Sequence, residues 1–161
     1  MKIQSLEIML AMLATHGWQA QQVSESSASV IIPHADSHYI AVAQFAGGNL
    51  TIACQLAKLG DFQEECLAPL SLALLDANDE IAPFAFAING KGAQHPEGLD
   101  EAPIVLIDRL PVEDLSVGEL LHSLSRLMAA VSTWNTILDR FNSVDITCSR
   151  TTTGVEQPVT A

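Results

Sequence analysis

Two histidines on either side of an aspartate form the most suggestive chemical pattern in the sequence. His34, Asp36 and His38 give a His-x-x-x-His spacing with a carboxylate between the imidazoles. Neutral imidazoles and carboxylates are zinc ligands, and on a helix this spacing would place both histidines on one face. Here the segment falls on a turn between two predicted strands, where solvated histidines are the commoner occupants. We therefore predict no metal and no cofactor.

The cysteines and the glycine-rich turns give no catalytic signature either. Cys54, Cys66 and Cys148 are odd in number and widely spaced, so we expect reduced thiols and no disulfide framework. Cys54 alternates with Ile52 on an apparent core face, where a free cysteine acts as a small hydrophobe. Gly47-Gly48 lacks the Lys-Ser or Lys-Thr of a phosphate-binding loop. Because no acid–base pair or activated nucleophile is visible, we expect that the protein is not an enzyme.

The composition is that of an acidic, apolar-rich chain of one-domain length. Its 161 residues are 48% hydrophobic and 16% charged, and the formal net charge is −12. Such a surface repels phosphate backbones and anionic lipids, so we expect no nucleic acid and no membrane as a partner. It favours basic or apolar partners. No stretch approaches the ~20 apolar residues of a membrane span, and no signal-peptide pattern is visible, so we expect a cytoplasmic protein.

Apolar spacing in the first third of the chain predicts one helix and three strands. The helix follows Ser5, a suitable N-cap, and ends at Gly17. Strands are predicted at residues 29–33, 38–45 and 49–56, because apolar residues there are separated by turn-forming residues. Three strands joined by short turns predict an antiparallel meander.

The middle of the chain predicts a second helix and a strand. Asp61 and Glu64 resemble a capping box, but Pro69 falls inside the leucine pattern that follows them. We therefore predict a helix over residues 69–78, preceded by a looser turn. Alternating apolar residues predict a strand at residues 84–88.

The last third contains the longest periodic segment. Residues 104–107 predict a buried strand, and Ser116 with Glu119 forms a second capping box. Apolar residues then recur at three-four spacing as far as Phe141, which predicts a helix of about 25 residues. Leu124 lies at the centre of this stripe, where we expect full burial.

These elements predict an α+β fold in the order α-β-β-β-α-β-β-α. An antiparallel sheet of about five strands would be flanked by helices. We expect a single domain over residues 1–142. Residues 143–161 are threonine-rich and predict a partly disordered tail, and residues 91–102 predict an exposed polar loop.

Three segments carry a resemblance to a known family. Leu74-Leu75-Asp76-Ala77-Asn78 is a leucine-rich helix end that closes with asparagine, and Phe84-Ala85-Phe86-Ala87-Ile88 follows as a strand. Residues 104–115 and the helix through Trp134 complete the chain. In this order, on a small acidic chain, they resemble the class I type III secretion chaperones of bacteria (the CesT/Tir-chaperone-like group). Uncharacterised bacterial proteins of the YbjN and YjfI groups are similar.

The resemblance implies a homodimer that holds an extended segment of a partner protein. We therefore expect a protein-binding chaperone or adaptor, with type III secretion as its most specific version. The alternative is a cytoplasmic regulatory or stress-related bacterial protein of the same fold with no secretion role. Binding would proceed by strand addition at a sheet edge, or by burial of partner side chains in apolar grooves.

Two apolar excesses indicate where such partners could bind. The first helix is apolar over a wider face than a core stripe needs, and methionine adapts to varied partners. The first predicted strand is apolar on both faces, although ordinary core packing would give the same pattern. The long last helix either covers the sheet or extends into a dimer interface, where large aromatics are enriched. The predicted partner-binding residues are Met9, Met12, Val30, Ile31 and Ile32, and the predicted dimer-interface residues are Trp134 and Leu138.

Overall fold

Six antiparallel strands and three helices form the computed structural model, which describes residues 1–88, 98 and 100–143. The predicted α+β class is confirmed. Most of the predicted 91–102 loop and residues 144–161 of the predicted tail lie outside the described residues. In chain order the elements are α1 (Leu6–Thr15), β1 (Ala20–Gln22), β2 (Ser27–His34), β3 (Ser37–Ala46), β4 (Asn49–Lys58), a 3-10 turn (Leu59–Asp61), α2 (Glu64–Ile81), β5 (Ala85–Ile88), β6 (Pro103–Pro111) and α3 (Val117–Ser143).

The sheet has the strand order β1-β2-β3-β4-β6-β5. Strands β2, β3 and β4 form the predicted meander, and α2 and β5 intervene before β6 returns to pair with β4. Gly47 and Gly48 connect β3 to β4 with φ values of 58° and 76°. These left-handed conformations are those of a tight two-residue hairpin turn, which glycine adopts without steric cost.

The additional strand is β1, which the sequence pattern did not predict. Ala20, Gln21 and Gln22 pair with Val30, Ser29 and Ala28 of β2. None of the three β1 residues is buried. A strand this short and polar shows no apolar alternation, because its hydrogen bonds to β2 are the source of its conformation.

The predicted caps of the first and last helices are confirmed. Ser5 Oγ accepts a hydrogen bond from the backbone N–H of Ile8 at the start of α1. At the start of α3, Ser116 Oγ accepts from Glu119 N–H at 3.2 Å, and Glu119 Oε2 accepts from Ser116 N–H at 2.8 Å. This reciprocal pair satisfies two backbone donors that a helix start would leave exposed.

Helix α2 is longer than predicted. It runs from Glu64 to Ile81 with Pro69 inside it, and its N-cap is Gln63. The buried stripe of the helix already includes Cys66, before the proline. A proline at this depth removes one backbone hydrogen bond, and the packing of the stripe on both sides of it outweighs that loss. The predicted Asp61–Glu64 capping box is therefore wrong.

The hydrophobic core lies between the sheet and the helices. Buried side chains from all three helices and from one face of the sheet form one cluster. Trp134 on α3 is at its centre, with ring centroids 6.3 Å from Phe62 and 6.2 Å from Phe86. Leu124 is 1% exposed, as the position of this residue in the stripe predicted. The helices therefore cover one side of the sheet.

Candidate functional site

One face of the sheet is left uncovered by the described residues. In the central parts of β2, β3, β4 and β6, buried residues alternate with residues that stay at least partly exposed. The buried set packs against the helices, and the other set points away from them. We call this second surface the outer face. Its apolar side chains are Ile31, Ile40, Val42, Ala53, Val105 and Ile107.

Cross-strand register brings the apolar side chains of the outer face together. Ile31 on β2 lies opposite Ile40 on β3. Val42 on β3 lies opposite Ala53 on β4, which lies opposite Ile107 on β6. Directly opposed residues of antiparallel strands have Cβ atoms about 5 Å apart. The outer face is therefore a contiguous apolar surface that extends over four strands.

The centre of this surface is open to solvent. Ile40 is 54% exposed and Val42 is 42% exposed. The solvent side of an antiparallel sheet is normally polar, because the residues that face water gain nothing from being apolar. A contiguous exposed apolar patch instead indicates a site of interaction. The outer face is the candidate functional site.

An open cavity of about 910 Å³ adjoins the outer face where β4 ends. His38, Ile40 and Gln55 line its sheet side. A β-bulge between Gln55 and Ala57 interrupts the register with β6 at this point. Since a bulge bends its strand, it makes room for a concave surface beside the flat part of the sheet. Ile40 therefore belongs to both the outer face and the cavity.

The opposite wall of the cavity is acidic. Asp61, Asp100 and Glu101 line it, together with Lys58. The Lys58 ammonium group forms an ion pair with Glu101. The hydrogen bond to the Glu101 carboxylate, and the negative charge of that carboxylate, raise the pKa of Lys58. Asp61 Oδ2 accepts a hydrogen bond of 2.9 Å from the backbone N–H of Lys58. Three carboxylates against one ammonium group leave this wall negatively charged.

Gly60 allows the two segments of the acidic wall to pack closely. Gly60 N–H donates a hydrogen bond of 2.9 Å to the backbone oxygen of Asp100. A Cβ atom at residue 60 would lie 2.9 Å from the Cβ atom of Asp100, which is closer than side chains approach one another. The absence of a side chain at Gly60 therefore lets the Asp100 segment pack against the 3-10 turn.

Three of the five predicted partner-binding residues lie in the core. Met9 and Ile32 are 0% exposed, and Val30 is 1% exposed. These side chains belong to the core cluster between the helices and the covered face of the sheet, so they are not part of an exposed binding surface. Met12 and Ile31 are half-buried. Ile31 belongs to the outer face, and it is here that the prediction and the candidate site coincide.

The two predicted dimer-interface residues also pack within this chain. Trp134 is 1% exposed and makes its aromatic contacts within the chain. Leu138 is half-buried and packs against the core cluster. Packing of α3 on the sheet thus explains the apolar periodicity of this helix. The sequence alone did not distinguish this role from a dimer interface.

A second exposed apolar feature lies on α2. Leu72 and Leu75 are 68% and 66% exposed. Together with the exposed Ala68, they follow one another at four and three residues, so they form one stripe along the helix. The stripe is on the opposite side of α2 from the buried residues Leu70 and Leu74.

The candidate metal-ligating histidines are on opposite faces of the β2–β3 hairpin. His38 pairs with Pro33, and His34 pairs with Ser37. Adjacent pairs of a ladder point to opposite sides, so the two imidazoles cannot share one ion. The rings of His34 and Tyr39 are neighbours, with their centroids 6.2 Å apart. Within the described residues, no group of three His, Cys, Asp or Glu side chains could hold a metal.

The cysteines of the described residues differ from one another. Cys54 is a free thiol on the covered face of β4, where burial raises its pKa to about 12. Cys66 on α2 is disulfide-bonded. The expectation that every cysteine is reduced is therefore wrong for Cys66. Cys54 is the small buried hydrophobe that its position on the strand predicted.

Most of the outer face was missed by reasoning from the sequence, although a signal was present. On β3, Tyr39, Ala41 and Ala43 point toward the helices. Ile40 and Val42 alternate with them, so β3 is apolar on both faces. The same double-sided pattern in residues 29–33 predicts an apolar surface on each side of the strand, but it does not show which side the helices cover.

Similarity to solved structures identifies the fold. A chain of the heterodimeric ExoU–SpcU complex, from the type III secretion system of Pseudomonas aeruginosa, matches 79% of this chain and 94% of its own length. The TM-score is 0.54 and the sequence identity is 17%. This chain has a secretion-chaperone-like fold.

Two further solved structures are similar to this chain. YbjN from E. coli, a proposed transcription regulator, matches 82% of this chain and 92% of its own, with a TM-score of 0.58 and 12% identity. An uncharacterised protein from Methanothermobacter thermautotrophicus matches 84% of this chain and 97% of its own, with a TM-score of 0.56 and 17% identity. No protein-family profile and no curated sequence matches the chain.

No helix in the described residues has the length and apolar character that crossing a membrane requires.

Proposed function

We propose that this chain is a non-enzymatic, chaperone-like adaptor that binds a segment of another polypeptide on the outer face of its sheet. The observation that carries the proposal is the exposure of Ile40 and Val42 at the centre of an apolar surface that no described helix covers. An extended segment laid on this face would remove both side chains from water, and burial of apolar area is the main source of affinity. The ExoU–SpcU complex supports a protein partner, because it is itself an assembly of two different chains.

Side-chain burial on the outer face is favoured over strand addition at a sheet edge. In the described part of the chain the edge strand β5 has four residues, and the N–H of Phe86 already donates a hydrogen bond of 2.8 Å to Asn78 Oδ1 on α2. The opposite edge strand, β1, has three residues. Edges this short and partly satisfied offer few hydrogen-bonding groups to an added strand.

The adaptor would work as a homodimer, and the stripe of Leu72 and Leu75 is the surface that fits a second copy. Two identical helices related by a two-fold axis can place the same leucines against each other, so each stripe covers its counterpart. The stripe and the outer face lie on different sides of the molecule, one on a helix and one on the sheet. Dimerisation would therefore leave the outer face free for a partner.

A capture experiment with matched variants tests the binding face. Val42→Thr and Ile40→Thr keep a β-branched side chain in the strand while they add a hydroxyl group to the apolar surface. Val23→Thr is the control, because Val23 is 65% exposed but lies outside the outer face. Each tagged protein is recovered from the native host, and the co-purifying proteins are quantified by mass spectrometry.

We expect the two outer-face variants to lose partner recovery that Val23→Thr retains, with unchanged urea midpoints in all three. Equal recovery by all variants would refute the outer face as the binding site. If the outer-face variants instead become monomeric, the outer face holds a second copy and not a different protein.

The dimer is tested separately. Light scattering should give about twice the 17.2 kDa chain mass for the native protein. Leu75→Glu places a charge in the stripe and should give the monomer mass, whereas Val23→Glu should not. A native protein that is monomeric at tens of micromolar would refute the dimer and leave the binding face untouched.

The alternative function is cytoplasmic regulation without secretion, which the match to YbjN favours. The secretion chaperone and the cytoplasmic regulator would bind different partners on the same face of the sheet. Recovery of a secreted effector, or a secretion apparatus among the neighbouring genes, would support the secretion chaperone. Recovery of resident cytoplasmic proteins alone would support the regulator.

A further inference from the structure

We propose that the polypeptide held on the outer face contributes a lysine or arginine to the acidic cavity next to Ile40. This inference rests on the proposed function, and it specifies the chemistry of the partner. The apolar surface alone would accept any apolar segment. The cavity adds a charged selection step at one end of that surface.

The outer face and the cavity are continuous at Ile40. Ile40 lies on the outer face, opposite Ile31, and it also lines the cavity. A side chain of the partner that follows an apolar residue at Ile40 would therefore enter the cavity directly. The volume of about 910 Å³ is ample for an arginine or lysine side chain with its water.

The charge of the cavity is complementary to a basic side chain. The exposed carboxylates of Asp100 and Glu101 form the far wall of the cavity. Asp61 and the positively charged Lys58 also line the cavity. The net charge of the whole chain is −12, so the long-range field adds to the local one and attracts cationic segments. An acidic partner residue would be repelled here by like charge.

The opposite end of the outer face has the reverse charge and sets the direction of the partner. Arg109 on β6 lies opposite Thr51, six residues along the strand from Pro103 at the cavity end. At about 3.4 Å per residue, this separation is about 20 Å. The occupant is thus an extended segment of six or seven residues, apolar in its middle, with its basic residue at the cavity end and away from Arg109.

A pair of synthetic peptides tests this inference. The probe is an eight-residue peptide of alternating valine and threonine with arginine at one end, and its partner has citrulline, the uncharged isostere, in place of arginine. Both are titrated into the full chain, with affinity measured by fluorescence anisotropy and the contact site by amide chemical shifts. We expect the arginine peptide to bind about fivefold more tightly, as an exposed ion pair allows.

A matched pair of double variants separates the cavity from the general acidity of the chain. Asp100→Asn with Glu101→Gln removes two charges from the cavity wall. Glu25→Gln with Glu113→Gln removes two exposed charges elsewhere, so both proteins have the same net charge. The preference for arginine over citrulline should disappear in the cavity variant and persist in the control.

The outcomes distinguish this inference from the proposed function. Equal binding of the two peptides, weakened by Val42→Thr, would refute the cavity while the outer face stands. An arginine preference that both double variants reduce equally would refute the cavity in favour of general charge attraction. Absence of binding by either peptide, or binding that Val42→Thr leaves unchanged, would count against the outer face and so against both.

Discussion

Ser123 Oγ on α3 donates a hydrogen bond of 3.0 Å to Asp108 Oδ2 on β6, and both side chains are buried. The other carboxylate oxygen of Asp108 accepts from the backbone N–H of Arg109 at 2.8 Å. A buried carboxylate needs such donors, because an unsatisfied buried acceptor destabilises the fold. This bond ties the long helix to the sheet from inside the core.

We predict that Ser123→Ala lowers the free energy of unfolding by about 1–3 kcal/mol, since it leaves Asp108 Oδ2 without this donor. Urea denaturation measures the change. Ser125→Ala is the control, because Ser125 is exposed on the same helix and experiences the same gain in helix propensity. Equal midpoints for the two variants would show that the buried hydrogen bond contributes nothing.

Leu124→Ala should destabilise the protein by about 2–5 kcal/mol, because Leu124 is 1% exposed and its truncation leaves a cavity. This is a large part of the ~5–15 kcal/mol that holds a typical domain together. Met128→Ala, on the same helix at 36% exposure, should cost much less. An unchanged urea midpoint for Leu124→Ala would contradict the packing of α3 on the sheet.

Glu119 should make stability depend on pH in the acid range. The Ser116 backbone N–H, with the Ser116 hydroxyl, donates hydrogen bonds to this carboxylate and lowers its pKa in the folded state. The charged form therefore stabilises the fold above the ordinary pKa of 4.5, and the contribution is lost as the pH falls from there through the lowered value.

The measurement for Glu119 compares urea midpoints of the native protein and Glu119→Gln across this range. The native protein should be the more stable at neutral pH, and the difference should vanish in acid. Glu113→Gln, at an exposed position outside the capping box, provides the comparison. A difference that stays constant with pH would show that the charge of Glu119 plays no part.

Cys54 should be unreactive in the folded protein. Burial raises the pKa of this thiol to about 12, and alkylating reagents react with the thiolate. Treatment with iodoacetamide at about pH 8, followed by peptide mass spectrometry, should find Cys54 unmodified in the native state and modified in urea. Rapid native modification would mean that the covered face of β4 opens readily.

Local sequence signals were sufficient to predict the helices that have caps. Ser5 and the Ser116–Glu119 pair identified the starts of α1 and α3, because a capping side chain acts on backbone groups within three residues. The beginning of α2 could not be predicted in this way. Gln63 makes no side-chain capping bond, and packing on both sides of Pro69 decides where that helix begins.

The candidate site was less predictable, because sidedness is a tertiary property. Alternation shows that two sets of residues face opposite ways, but not which set the helices cover. Val30 and Ile32 are covered and Ile31 is not, although all three are equally apolar. The acidic wall brings Lys58 beside Glu101, which are 43 residues apart, and no local pattern indicates that contact.

Photo-crosslinking in the native host tests most directly whether the outer face binds another polypeptide. A photo-reactive amino acid replaces Val42, and a second protein carries it in place of Val23, which is more exposed but lies off the face. We expect covalent adducts with another polypeptide from position 42 and few or none from position 23. Adducts of equal yield from both positions, or none from position 42, would contradict this expectation.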